Sequence, residues 1–424
     1  MLGNKGQGVL TGMEEIGLGE ARAVLKELPA SPAVFALYGA EAKDEPYVGR
    51  TPNLRGRLER LLIPSDKHPK RLQLAGRVRR IAWLRTGSEF EGLLKQFCLL
   101  EELFCAERAV ERMHLRAAAF VRFLGSNRYP RVVVTSRPGQ REVGWSYGPF
   151  ASRAAAERYV DEVLKLHLLR RCVEDLEPDP KHPGCVYSEM KKCLAPCFGG
   201  CTDERYAEEA GVVERFLETR GESRLVELRT EREAASEALE FEKAAEIHAQ
   251  VSRVEGVRAL AAELVRPLDE QRAVILQAAA EPGTVAVFLF EGGRLRGPGE
   301  FSTLGMRIQN EQSGSTSLFL APMAVEAAVE GQGTGNREQG VEAPRVARGM
   351  LEARLEEVLT GLADRAGAST AAVRQGHMAL VKRWYYRPEV KRVGEIFFPD
   401  AEGRWPAKGI LRGIGRVAAK AMEG

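Results

Sequence analysis

Five of the seven cysteines in this chain fall within thirty residues, from Cys172 to Cys201, in the run CVEDLEPDPKHPGCVYSEMKKCLAPCFGGC. Pro, Gly and Lys surround them, so the segment cannot settle into one long helix or strand. Thiols gathered in such a loop are there to bind something or to be cross-linked. The intervals between successive cysteines are twelve, seven, three and three residues, with no CxxC step. Cys193/Cys197 or Cys197/Cys201 would supply the tight pair that a tetrahedral zinc site uses. Four thiolates would equally hold an iron–sulfur cluster. A disulfide framework is the remaining option, but seven cysteines in 424 residues describe a chain kept reduced. The opening MLGNKGQGVLTG lacks the basic-then-apolar order of a secretory leader, and the expected compartment is cytoplasmic.

A chain of 424 residues, 44% hydrophobic and 29% charged, has material for two to four domains. No apolar run approaches the ~20 residues that a membrane-spanning helix needs, so no membrane partner is expected. A net charge of +3 predicts no polyanion partner by itself. Its distribution does more: between Arg50 and Arg80 there are ten Lys or Arg residues against Glu59 and Asp66. That excess reads either as a solvated helix face or as a footprint for a phosphate backbone.

After a lead-in with a short helix, ARAVLKEL, the apolar runs Ala33–Tyr38 and Pro46–Gly49 read as a β-hairpin. NLRGRLERLL follows as a helix with Asn53 at its N-cap. RIAWLRT reads as a third strand. A helix then opens at Ser88, with Glu91 at capping-box spacing. The series PAVFALY, PYVGRTPNLRGRLERLL and IAWLRTGSEFEGLLKQ resembles the GIY-YIG nuclease domain in the version found in UvrC, the excinuclease subunit of bacterial nucleotide excision repair.

Later segments extend the resemblance. Tyr147 to Phe150 and ASRAAAERYVDEVLKLHLLRRC are similar to the UvrC stretch leading into its cysteine region, and KKCLAPC is close to that family's cysteine signature. Cys172, Cys185, Cys193 and Cys197 are the matching four, with Cys201 outside the pattern. The resemblance implies a 4Fe-4S cluster there, with zinc as the alternative. EALEFEKAAEIHAQVSRVE resembles the UVR motif, the helical hairpin through which UvrC and UvrB recognise one another. Leu239, Phe241, Ala244, Ala245, Ile247 and Val251 lie mostly along one helical side. Such a stripe suits an intramolecular core, and the resemblance makes it a docking surface for a UvrB-like protein. Where the family usually has an Arg-Asp pair, this chain has His248 and Ala249.

Cutting a phosphodiester with one divalent ion needs a carboxylate for the metal, a base for the water and a cation for the developing charge. The resemblance assigns these to a Glu, tyrosines and an Arg. Tyr47 and Arg57 match the second tyrosine and the arginine. Phe35 stands at the first tyrosine and lacks its hydroxyl, Leu61 replaces a further tyrosine, and Gln96 stands where the metal-binding Glu belongs. Replacing the only protein carboxylate forfeits most of the binding of Mg2+ or Mn2+, which would be a cofactor only of an active site. A shifted alignment would make Glu101 the ligand. The expectation is a degenerate nuclease unit that still grips DNA through Arg50, Asn53, Arg55 and Arg60.

Beyond the hairpin, AVILQAAA and TVAVFLFEGGRLRGPGEF read as paired strands. The resemblance places a remnant of an RNase H-like half here, and EGQGTGNREQG reads as a loop. HMALVKRWYYRPEVKR interleaves Trp384, Tyr385 and Tyr386 with Arg383 and Arg387, which suits either DNA stacking or a packed helix end. Gly413-Ile414-Gly415 resembles the turn of a helix-hairpin-helix DNA binder.

The expected fold class is multi-domain α/β (α+β). Its parts are a lead-in at 1–29, a GIY-YIG-like domain at 30–115 and a linker with the cysteine cluster at 116–205. A UVR-type hairpin follows at 206–262, then an α/β region at 263–424 with a flexible loop near 327–345. The expected function is DNA binding and assembly in excision repair, with the SOS response as its setting. The alternatives are an active single-incision endonuclease and a non-catalytic docking module.

Overall fold

The computed structural model describes residues 9–17, 21–41, 43–63, 74, 76–137, 145–174, 176–306, 308–309, 317–318, 348–365 and 370–423. The loop expected near 327–345 lies outside the described residues. The chain is mixed α and β, as expected, built on small antiparallel sheets.

The first sheet joins β1 (Glu14–Gly17), β2 (Ala33–Tyr38), β3 (Tyr47–Thr51) and β4 (Arg80–Arg85) in the order β1-β4-β2-β3. The segment expected as lead-in therefore contributes an edge strand, Ile16 facing Ile81 across the ladder. α1 (Ala21–Glu27) and α2 (Leu54–Leu62) cover one face. Asn53 caps α2 by accepting a hydrogen bond from the Gly56 N–H at 2.8 Å, and Leu54, Leu58, Leu61 and Leu62 turn inward at helical spacing. α3 (Glu89–Leu103) covers the other face, placing Leu99 against Val34 and Ala36. Ser88 caps it by accepting from the Glu91 N–H at 3.0 Å, and α4 (Ala106–Arg112) follows.

Residues 116–205, expected as linker plus cysteines, hold a sheet of their own. β5 (Ala119–Phe123), β6 (Val132–Thr135) and β7 (Ser146–Phe150) pair in the order β6-β5-β7. Phe120, Val121 and Phe123 are buried too deeply for a linker. α5 (Arg153–Leu166) lies over these strands. The cysteine segment follows with the single turn α6 (Val186–Glu189), then α7 (Asp203–Glu218), α8 (Glu222–Glu237) and α9 (Phe241–Ala259). The last two form a hairpin, and β8 (Arg266–Pro267) returns to pair with β7. One core, from Val121 and Tyr147 through Phe216 to Val254, joins β5, β7, α5, α7, α8 and α9.

The third sheet has the order β11-β10-β9-β14, from β9 (Arg272–Ala278), β10 (Thr284–Glu291), β11 (Arg294–Ser302) and β14 (Glu395–Phe397), every pairing antiparallel. β12 (Ile308–Gln309) and β13 (Ser317–Leu318) pair separately. α10 (Arg348–Ala363) and α12 (Ala407–Glu423) pack on one face of the third sheet. α11 (Ala371–Tyr385) packs on the other, together with α3 and α4. α3 is thus shared: Leu99 serves the first sheet while Phe90, Leu93 and Phe97 pack with Phe288, Phe290 and Trp384 of the C-terminal region.

One sequence reading is corrected here, and one of two alternatives is chosen. Gly413-Ile414-Gly415 lies inside α12, with Ile414 fully buried, so it makes no hairpin turn. Gly413 is required because a Cβ there would stand 2.5 Å from the Phe397 ring. Trp384 and Tyr386 are structural: the indole N–H donates to the Val393 carbonyl at 2.8 Å, and the Tyr386 hydroxyl donates to the Pro149 carbonyl at 2.8 Å. Neither ring is a free stacking platform.

Candidate functional sites: nuclease remnant, cysteine loop and hairpin tip

The pleat of the first sheet separates the residues expected to act together. Antiparallel register puts Phe35 opposite Gly49 and Leu37 opposite Tyr47, all on the face covered by α2. The Arg57 guanidinium, on α2, donates to the Tyr47 hydroxyl at 3.4 Å, and the Phe35 and Tyr47 ring centroids are 6.2 Å apart. Phe35 is fully buried, and its ring fills the space over Gly49, where a Cβ would meet it at 2.8 Å. Val48 and Arg50 point to the opposite face, toward α3. Gln96, half-buried, is carried by α3 and so lies across the sheet from Tyr47 and Arg57. Glu101 is held above the ordinary carboxylate range by burial, and its charged neighbours are Arg294, Glu102 and Glu107.

The basic residues of this unit have local work. Arg55 donates to the Leu28 carbonyl at 2.8 Å and Arg60 to the Gly56 carbonyl at 2.8 Å. Arg50 lies 3.4 Å from the Glu89 carboxylate. Arg387, just past α11, forms a two-pronged pair with the same Glu89 at 2.9 and 2.9 Å. Sequence reading missed Glu89, because nothing in the chain order puts it beside residues almost three hundred positions away.

The cysteine loop is fastened at both ends. Arg170 is buried beneath it, donating from Nε to the Tyr129 carbonyl at 3.0 Å and from Nη1 to the Glu174 carbonyl at 2.8 Å. Glu209 of α7 accepts from the Leu168 N–H at 2.8 Å and from Arg205 at 3.3 Å, with His167 beside it at 3.6 Å. These donors, His167 foremost, hold its carboxyl down at about 2. Left-handed backbone at Gly184, Lys191, Ala195 and Gly199 folds the loop tightly, at a cost for the two that are not glycine.

Within it, three sulfurs each receive an N–H. Cys172 accepts from Arg170 at 3.5 Å, Cys193 from the Ala195 N–H at 3.3 Å and Cys185 from the Ser188 N–H, while burial raises the Cys197 thiol. Burial first, and then the field of Cys172, Cys185 and Cys197, pushes the Cys193 thiol up to about 11. Burial raises the Cys201 thiol, and its charged neighbours are Asp203, Arg205 and Cys197. Among the described residues no three His, Cys, Asp or Glu side chains are grouped to hold a single metal ion.

The hairpin divides its apolar stripe. Ile247 and Val251 are buried in the chain's own core, with Ala244 packed partly against it. Leu239 and Phe241, at the tip, are 70% and 68% exposed, and Ala245 is exposed beside them. Ile247 is therefore a folding residue and not a free contact. Leu239 adopts φ +60°, a left-handed turn conformation unusual for a leucine.

Two family models match these parts of the chain. The UvrC/Cho excinuclease middle domain covers residues 120–216, and the UvrB/uvrC motif covers 222–257. Among curated relatives, UvrABC system protein C of Alcanivorax borkumensis is 32% identical over 228 residues, 54% of this chain and 37% of that protein. The protein of the same name from Ruegeria sp. is 29% identical over 275 residues, 65% of this chain and 42% of its own. That from Ectopseudomonas mendocina is 28% identical over 312 residues, 71% of this chain and 49% of its own. The chain spans less than half the length of these relatives, and no solved structure matches it. Over its middle region and its helical hairpin the chain is thus similar to the UvrC proteins.

Proposed function

We propose that the chain is a DNA-binding repair factor of the nucleotide excision type that docks a UvrB-like protein, with a nuclease unit that grips DNA without cutting it. The observation that carries this reading is the matched UVR hairpin, whose tip leaves Leu239 and Phe241 exposed while the rest of its stripe is used internally. An apolar pair held out in water on a rigid hairpin is what a helical partner would cover.

The inactive nuclease rests on chemistry. A neutral amide at Gln96 and a buried phenyl ring at Phe35 remove the metal carboxylate and one hydroxyl, and Arg57 is turned onto Tyr47. Glu101 is the rescue ligand an active enzyme would need, but its charged surroundings are Arg294, Glu102 and Glu107. Cys172, Cys185, Cys193 and Cys197 would hold a 4Fe-4S cluster, which when bound supplies a one-electron couple and a rigid cross-link. The chain's own share is to present four thiolates and N–H donors. Thiols must lose their protons on loading, so loading falls off as pH is lowered. Zinc remains the second candidate for the same four residues. No helix among the described residues is long and apolar enough to cross a membrane.

The test is metal-dependent nicking of a lesion-bearing duplex by anaerobically purified protein, with Gln96→Glu and Arg57→Ala alongside. Wild type should be silent, with Gln96→Glu gaining activity if the missing carboxylate is the main defect. Nicking by wild type that Arg57→Ala abolishes would make this an enzyme and overturn the reading.

A further inference from the structure

Two guanidiniums meet one carboxylate where the first sheet meets the C-terminal region, and a third acts on it through its charge. Arg50 approaches Glu89 from β3 at 3.4 Å, and Arg387 grips it with two bonds at 2.9 Å. Arg383, one turn earlier on α11 and exposed, adds its field to both Arg50 and Glu89. Among the described residues Arg383 has no hydrogen-bond or ion-pair partner of its own. Glu89 balances one of the three positive charges, leaving an excess of two.

This cluster is not what holds the two regions together. Directly beneath it Phe90, Leu93, Phe97, Phe288 and Trp384 form a shared apolar core, with the Phe90 ring 5.2 Å from both Phe288 and Trp384. Exposed ion pairs contribute about 0–1 kcal/mol, small beside such burial. The Glu89 side chain is 46% exposed, and those of Arg50 and Arg387 are 30% and 27% exposed, so the group is open to a ligand from solvent. Guanidinium forks match phosphate oxygens as well as they match carboxylate oxygens.

The geometry points to a phosphodiester-binding site formed by Arg50, Arg383 and Arg387 across the junction, in which Glu89 occupies the anion position until a DNA backbone displaces it. It rests on the reading of the chain as a DNA binder and adds the place where two regions grip one backbone. An acidic protein segment is the competing occupant. DNA is favoured because three guanidiniums on two separate elements suit anionic groups spaced along a strand.

The experiment is fluorescence anisotropy of a labelled short duplex against full-length protein across a salt series, for wild type, Glu89→Gln, Arg383→Ala and Arg387→Lys. Each phosphate contact contributes about 0.9 to the slope of log K against log salt. Glu89→Gln should bind several-fold tighter with a steeper slope, because it removes the competing anion and frees two guanidiniums. Arg383→Ala should bind more weakly, its slope shallower by about one contact. Arg387→Lys keeps the charge and loses the fork, and should fall between wild type and Arg383→Ala. Melting curves identify any variant that fails to fold, and Arg383→Ala alters only an exposed, unpaired side chain. Wild-type affinity and slope in both Glu89→Gln and Arg383→Ala would overturn this site and leave DNA binding elsewhere on the chain intact. Absence of salt-dependent binding by wild type would overturn both, and would turn attention to an acidic partner.

Discussion

Glu209 shows how one side chain can secure a segment that has little regular structure. It lies on α7, outside the cysteine loop, yet it accepts the Leu168 N–H at the loop's entry and is flanked by His167 and Arg205. Its carboxyl sits at about 2 against an ordinary 4.5, so folding favours the charged form. The stability it contributes is present above pH 4.5 and is lost as pH falls through about 2. Wild type should therefore lose melting temperature across that window, and Glu209→Gln should melt lower at neutral pH and respond less to acid across the same range. An unchanged acid slope in the variant would show that the anchor lies elsewhere. None of this was legible in the sequence, where Glu209 is one acid among several on a charged helix. The cysteines were legible, because five thiols in thirty residues stand out in any context.

At the scale of the element, the α8–α9 hairpin separates folding from recognition along one stripe. Ile247, 5% exposed, packs into the middle unit, and Ile247→Ala should cost about 2–5 kcal/mol in urea unfolding. Phe241 is 68% exposed, so Phe241→Ala should stay within about 0.5 kcal/mol of wild type in stability. The same variant should lose capture of a purified UvrB-like protein. Retained capture by a folded Phe241→Ala would remove the tip from the docking surface. Helical periodicity alone could not divide these residues, because it reports that they share a side and not which of them a third helix or sheet covers. The middle unit was missed for a related reason: its strands are short and its sheet closes only through Arg266 and Pro267, beyond the hairpin.

Across the whole molecule, α3 packs into the cores of both the N-terminal and the C-terminal regions, which should make them unfold together. Phe97 has no exposed surface, and its ring stands where a Cβ on Gly376 of α11 would come within 2.3 Å. His377 follows it, buried and held down to about 3 by desolvation, so this junction carries no charge from that imidazole at neutral pH. Phe97→Ala should cost about 3–5 kcal/mol and lower a single thermal transition. Two separate transitions in wild type would show that the regions unfold independently.

By itself, the sequence determined the features whose causes lie within a few residues. The Asn53 and Ser88 caps, the hairpin strands, the inward leucines of α2, the cysteine set and the UVR stripe all follow from local hydrogen bonding, periodicity and composition. Tertiary structure alone decided which face of the first sheet Tyr47 and Arg50 occupy relative to Gln96, that Trp384 is core, that Gly413 is a packing glycine, and that Arg387 reaches Glu89. Those outcomes depend on which surfaces distant segments bury together, a choice set by packing between residues hundreds of positions apart and written in no local pattern.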